Sequence, residues 1–169
     1  MTFKIIQGDL FDPAHKFNAF AQGVNCQGLM GAGIAVPFRE RWPEMYEEYR
    51  ELCSKYRHIL PGLLHTHNPE PVEEKVIDGP VLFIHMDFPP TVYNLFSQIQ
   101  PGRNGSYELL QRAAFLMLRD AEEQGFDKVG LPWIGCGIAG LAKHNVEHIF
   151  RELLTESDVE FVLVEQPTV

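Results

Sequence analysis

Two glycine clusters carry most of the chemistry this sequence can offer. Gly28-Leu29-Met30-Gly31-Ala32-Gly33 runs into Ile34-Ala35-Val36-Pro37-Phe38, and Gly135-Cys136-Gly137-Ile138-Ala139-Gly140 stands shortly before an amphipathic stretch. Glycine brings backbone close to a ligand with no Cβ in the way, and it takes positive φ at little cost. Each cluster follows an apolar run and precedes a helical pattern. In open α/β sheets, ligands bind beyond the carboxyl ends of strands, where N–H groups at helix starts point outward. Two such loops facing one crevice would grip a diphosphate from both sides with no lysine at all.

The second cluster also matches the G-x-G-x-x-G dinucleotide fingerprint, with Glu160 and Glu165 falling roughly where a ribose-binding acid would stand. The chain after Gly140 holds only one more helix and strand, so a conventional dinucleotide fold is not expected. Other signals are weaker. His144-Asn145-Val146-Glu147-His148 matches an inverted zinc-protease motif, yet Val146, Ile149, Phe150 and Leu153 define the apolar stripe and turn both histidines outward. His65 and His67 share one side of a strand, but no third metal ligand is evident. Cys136 has no arginine nearby in sequence to stabilise a thiolate, so a small packing residue is the expectation. Arg103 and Arg112 are the nearest cations to the loops in sequence, and a solvated surface is their expected place.

The elements that must position these loops follow from periodicity. Strands are expected at Phe3 to Gln7, Phe20 to Asn25, Leu63 to His67, Val81 to Met86, Thr91 to Ser97, Lys128 to Trp133 and Val159 to Val164. Asn68 to Pro80 is polar and proline-bearing and reads as a loop or peripheral excursion. Helices are expected from Pro43, from an N-cap at Ser106 to just before Gly125, and over Lys143 to Thr155. This alternation predicts a three-layer α/β/α fold with a mixed, largely parallel sheet, one domain over residues 1–169.

Bulk properties narrow the function. The formal net charge of -9 opposes sequence-independent nucleic-acid binding, while a small anion received by backbone dipoles remains compatible. Cys26, Cys53 and Cys136 form no disulfide framework. Met1 to Gln7 meets Asp9 almost at once, unlike a signal peptide, and no run approaches the roughly 20 apolar residues of a membrane span. A soluble cytoplasmic protein without a membrane partner is expected.

Several motifs in order resemble the macrodomain family: Gly8-Asp9-Leu10, Asn25-Cys26-Gln27-Gly28, Met30-Gly31-Ala32-Gly33-Ile34-Ala35 and Pro132-Trp133-Ile134-Gly135-Cys136-Gly137. Arg41-Trp42-Pro43, Tyr49, Glu51-Leu52-Cys53 and Asn94-Leu95-Phe96-Ser97 extend the likeness; Asn68 to Pro90 is the main unmatched stretch. The branch in question holds the fungal ADP-ribose-1''-phosphate phosphatase, the vertebrate terminal ADP-ribose hydrolase and antitoxins that reverse DNA ADP-ribosylation. The resemblance implies that Asp9 accepts from the adenine amino group while the Leu10 N–H faces the ring. Gly31, Ala32, Gly33, Ile34 and Ala35 would cradle the diphosphate. Gly135, Cys136, Gly137, Ile138, Ala139 and Gly140 would close over its other face. Asn25 would lie at the distal ribose as the candidate catalytic residue, with Ser97 and Gln98 near the same cleft.

The likeness has one departure. The vertebrate hydrolase is thought to use a lysine nucleophile with an aspartate partner, and these positions fall here at Gln98 (at most Ile99) and Ala139. Neither Gln98 nor Ile99 can form a Schiff base, so that covalent route is excluded in its known form. Two functions are therefore expected in competition. One is hydrolysis at the distal ribose of ADP-ribose-1''-phosphate or a mono-ADP-ribosylated macromolecule, with water positioned by Asn25 and the substrate's phosphate. The other is a reader that binds ADP-ribose without turnover. Neither needs a metal or redox cofactor.

Overall fold

Alternating apolar runs and amphipathic stretches fold, in a computed structural model describing residues 3–167, into strands separated by helices. In chain order these are β1 (Phe3–Gln7), a 3-10 turn at Pro13–His15, β2 (Ala19–Val24), α1 (Ala35–Arg41), α2 (Pro43–Tyr56), β3 (Leu64–His67), β4 (Val72–Asp78), β5 (Val81–Asp87), β6 (Thr91–Phe96), α3 (Tyr107–Gln124), β7 (Lys128–Leu131), α4 (Lys143–Leu154) and β8 (Glu160–Glu165). Residues 1, 2, 168 and 169 of the expected 1–169 domain lie outside the described residues.

Six strands pair in the order β1-β8-β7-β2-β6-β3. Each neighbouring pair is parallel except β3 on β6, where Leu64 faces Leu95 and His67 faces Val92. The mixed, largely parallel sheet is thus as the periodicity predicts. Helices cover both faces. On one, α3 and α4 bury Leu110, Met117, Val146 and Phe150 against Tyr93, Leu131 and Phe161. On the other, α1 and α2 bury Phe38, Met45, Tyr49 and Cys53 against Phe20, Val92, Phe96 and Val162. Burial from both sides explains why these strands read as continuous apolar runs rather than alternating ones.

Local signals set the element ends. Ser106 caps α3 by accepting from the Leu109 N–H at 3.2 Å, and Gly125 ends it at φ +68, donating its N–H to Ala121 and Glu122. The stretch read as a loop or peripheral excursion is the latter: residues 72–78 form strand β4, which pairs antiparallel with β5 in a separate hairpin. Gly79, at φ +60, opens its two-residue Gly-Pro turn, a primed-turn geometry that the flanking prolines and the Glu73-Glu74-Lys75 run disguise. The hairpin joins the sheet between His67 and Thr91, at the amino end of β6.

Candidate functional site

Five parallel strands bring their carboxyl ends to one side of the sheet, and a cleft of about 1040 Å³ opens there. Asp9 and Leu10 line it after β1, Asn25 after β2, and Ser97 and Gln98 after β6. The first loop contributes Gly31, Ala32, Gly33, Ile34 and Ala35, and the second Gly135, Cys136, Gly137, Ile138 and Ala139. β2 and β7 are direct neighbours, so both loops leave the same point of the sheet. A Cβ built on Gly33 would lie 3.8 Å from the Ile138 Cδ1, which measures how closely the loops meet.

Gly140 stands apart from the other residues of the second loop. It is not in the lining: its N–H donates to the Gly137 oxygen, its φ is +83, and a Cβ there would come within 2.7 Å of the Arg103 side chain. It sits at the loop's exit, packed against the Arg103 side chain. That contact also places Arg103, while Arg112 pairs with Glu108 at 2.7 Å on an exposed helix face.

The loops present unspent donors. Among the described residues, none accepts from the backbone N–H of Gly31, Ala32 or Gly33, nor from that of Gly137, Ile138 or Ala139. All six residues line the cleft, so an anion seated between the loops would have donors available from both. The cleft is not free of cations, however. Arg39 and Arg41, which follow the first loop on α1, and Lys143, which opens α4 after the second, all line it.

Asn25, 7% exposed, is held on nearly every side. Its Oδ1 accepts from the Gln27 N–H at 2.9 Å and from the Tyr49 hydroxyl at 2.9 Å, with the Leu29 N–H at 3.5 Å. Its Nδ2 donates to the Leu29 oxygen at 2.8 Å. An Asx turn of this kind, not a left-handed backbone, explains why asparagine stands here. The oxygen is spent on the protein, leaving the second amide hydrogen as the group Asn25 can offer a ligand. Asp9 keeps more capacity. One carboxylate oxygen takes the Phe11 N–H at 2.9 Å, and His15 Nε2 fixes the neighbouring backbone oxygen at 2.9 Å.

Burial pushes the Cys136 thiol up to about 11, which favours its protonated form at neutral pH, and it donates to the Ile134 oxygen at 3.6 Å. Gln98 lines the cleft, and its amide is tied to the Gln100 oxygen at 2.6 Å. Away from the cleft, His65 and His67 do share one side of β3. Both grip Glu48 of α2, at 3.0 Å and 2.9 Å, and Asn94 meets the other ring nitrogen of His65 at 3.0 Å. The described residues hold no cluster of three or more metal-ligating groups fit for an ion. His144 and His148 lie exposed on α4.

Sequence reasoning missed a rim of long side chains. The Arg41 guanidinium lies 4.3 Å from the centre of the Phe11 ring, which also packs against Phe20, Phe38 and Trp42. Trp133 Nε1 donates to Glu165 at 2.5 Å, and Lys143 stands 3.5 Å from the same carboxylate and 5.4 Å from the indole centre. The Trp133 indole holds the Glu165 carboxyl below the usual carboxylate range, with Lys143 adding to the effect. The adjacency of Arg39, Arg41 and Lys143 to the loops was the signal available.

Comparison with known proteins places this architecture. The ADP-ribose 1''-phosphate phosphatase of Ajellomyces capsulatus is 47% identical over 51 residues, which cover 30% of this chain and 20% of that protein. The DNA ADP-ribosyl glycohydrolase of Mycobacterium tuberculosis is 28% identical over 129 residues, 76% of this chain and 32% of that protein. The matched segment thus spans about a fifth to a third of the fungal phosphatases it resembles. The macrodomain of Thermus aquaticus DarG superposes with a TM-score of 0.76 at 20% identity, covering 98% of each chain. The model of the Macro domain family matches residues 21–150, from the middle of β2 into α4, and the chain belongs to that family.

Proposed function

We propose that this chain binds ADP-ribose along the carboxyl ends of its parallel strands and hydrolyses a bond at the distal ribose. The observation carrying this reading is the pair of glycine loops, which line one cleft with N–H groups no described residue accepts from, between Asp9 at one end and Asn25, Ser97 and Gln98 at the other. Adenine would meet Asp9 and the Leu10 N–H, the diphosphate would lie between the loops, and the distal ribose would reach Asn25. Relatives carry names consistent with this chemistry: phosphatases of ADP-ribose 1''-phosphate and a glycohydrolase of ADP-ribosylated DNA. The substrate is ADP-ribose-1''-phosphate or a mono-ADP-ribosyl group on a macromolecule. Hydrolysis proceeds by water held between the substrate's own phosphate and the cleft wall, since Gln98 and Ala139 replace the lysine and aspartate of the vertebrate hydrolase. The three free thiols suit a reducing, cytoplasmic setting.

One observation favours a second reading. The Asn25 oxygen is engaged by the protein, so it cannot also orient a water, and a domain so built serves equally as an ADP-ribose reader. Calorimetry with ADP-ribose tests the binding common to both. Multiple-turnover release of phosphate from ADP-ribose-1''-phosphate, or of ADP-ribose from modified protein or DNA, separates them. Binding without any turnover leaves the reader, and no binding at millimolar ADP-ribose defeats both.

A further inference from the structure

The sequence offers two acids, Glu160 and Glu165, as partners for a ribose hydroxyl, and the structure separates them. Glu160 begins β8 and pairs with Lys4 at 2.7 Å, at the end of the strand away from the cleft. Glu165 ends β8 and lines the cleft. β8 lies between β1, which delivers Asp9, and β7, which delivers the second glycine loop. A nucleotide with its adenine at Asp9 and its diphosphate at the loops must carry its adenosine ribose across the end of β8. Trp133 and Lys143 fix the Glu165 carboxylate there, and its side chain stays 31% exposed.

Resting on the ADP-ribose reading, we propose that Glu165 accepts the hydroxyls of the adenosine ribose and thereby selects ADP-ribose against its 2'-phosphorylated counterpart. A carboxylate is acceptor-only, so it welcomes a vicinal diol as donor. A 2'-phosphate at the same place brings a second negative group with no donor to offer, and like charges in direct apposition oppose binding. The same acid performs this service in nicotinamide-dependent folds that prefer the unphosphorylated dinucleotide. Lys143 offsets only part of the effect: it and the Trp133 N–H both meet Glu165 Oε2, which leaves Oε1 to receive the ribose hydroxyls. Trp133 acts as a positioning residue: its indole N–H leaves the carboxylate one orientation.

Calorimetry of the full chain with ADP-ribose and 2'-phospho-ADP-ribose tests this. The wild type is expected to favour ADP-ribose by more than about tenfold. Glu165→Gln removes the charge and frees Lys143, so the preference should disappear or invert toward the phosphorylated ligand. Trp133→Phe, which keeps the ring but loses the N–H donor, should narrow the ratio part way. A selectivity ratio is insensitive to a general loss of folded protein, which lowers both signals together. Equal affinity of the wild type for the two ligands, or an unchanged ratio in Glu165→Gln, overturns the assignment of Glu165 while leaving the ADP-ribose reading intact. If neither nucleotide binds the wild type, both fall.

Discussion

The Tyr49 hydroxyl sits 2.7 Å from the Asn25 backbone oxygen and 2.9 Å from its Oδ1, tying helix α2 to the loop that follows β2. Tyr49 is fully buried, and burial holds its hydroxyl protonated far above neutral pH, so it always acts as donor. Tyr49→Phe leaves two buried oxygens short of that donor. We expect a stability loss of about 1–3 kcal/mol in urea unfolding, together with weaker ADP-ribose binding as the loop loosens. Asn25→Ala should lower turnover more than affinity if the domain is an enzyme. Equal loss of both would confine Asn25 to binding.

Asp9 keeps a carboxylate oxygen beyond the one fixed by the Phe11 N–H. Asp9→Ala is expected to weaken ADP-ribose binding by about 1.5–3 kcal/mol, the scale of a hydrogen bond to a charged group. Unchanged affinity in a folded variant removes Asp9 from the site. Part of any stability loss will come from the turn it holds, so unfolding and calorimetry belong together.

Gly33 has φ +61 and faces Ile138 across the gap between the loops. Gly33→Val imposes a β-branched side chain on a left-handed backbone and fills the approach to the diphosphate. ADP-ribose binding should vanish while far-UV circular dichroism persists. A variant that binds normally would move the phosphate site elsewhere.

The His65–Glu48–His67 cluster makes stability depend on pH. Burial pushes the His65 pKa down, and the Glu48 contact only partly opposes this. Its folded pKa is therefore below the unfolded value of about 6.5, and the unfolded chain binds more protons in the interval between them. The contribution is fully present above pH ~6.5 and is lost as pH falls from there through the folded pKa. His65→Gln should flatten the difference in urea midpoint between pH 7 and pH 5 relative to wild type. An undiminished slope would assign the titration to other groups.

The fold was largely legible because both faces of the sheet are buried and each helix carries an apolar stripe. Val129 and Leu131, or Val146 and Phe150, announce their partners by pattern alone. Ser106 and Gly125 even gave the ends of α3. β4 was hidden because its side chains contact solvent on both faces, so no alternation was imposed on it. Of the cleft, the glycine loops and Asp9 were visible as motifs. Glu165 was visible as a candidate acid and Trp133 as part of a motif, but their meeting with Lys143 was not, since it arises only when β8 slots between β1 and β7, a crossover that spacing along the chain does not encode. The engagement of Asn25 by Tyr49 was invisible for the same reason.

The β4–β5 hairpin is rooted at the amino end of β6, whereas the candidate cleft lies at the carboxyl end. The molecule therefore has two poles joined by a stiff floor of strands. The hairpin's Gly79-Pro80 tip is a natural point for splicing in a reporter or affinity handle, at the far end of the sheet from the cleft.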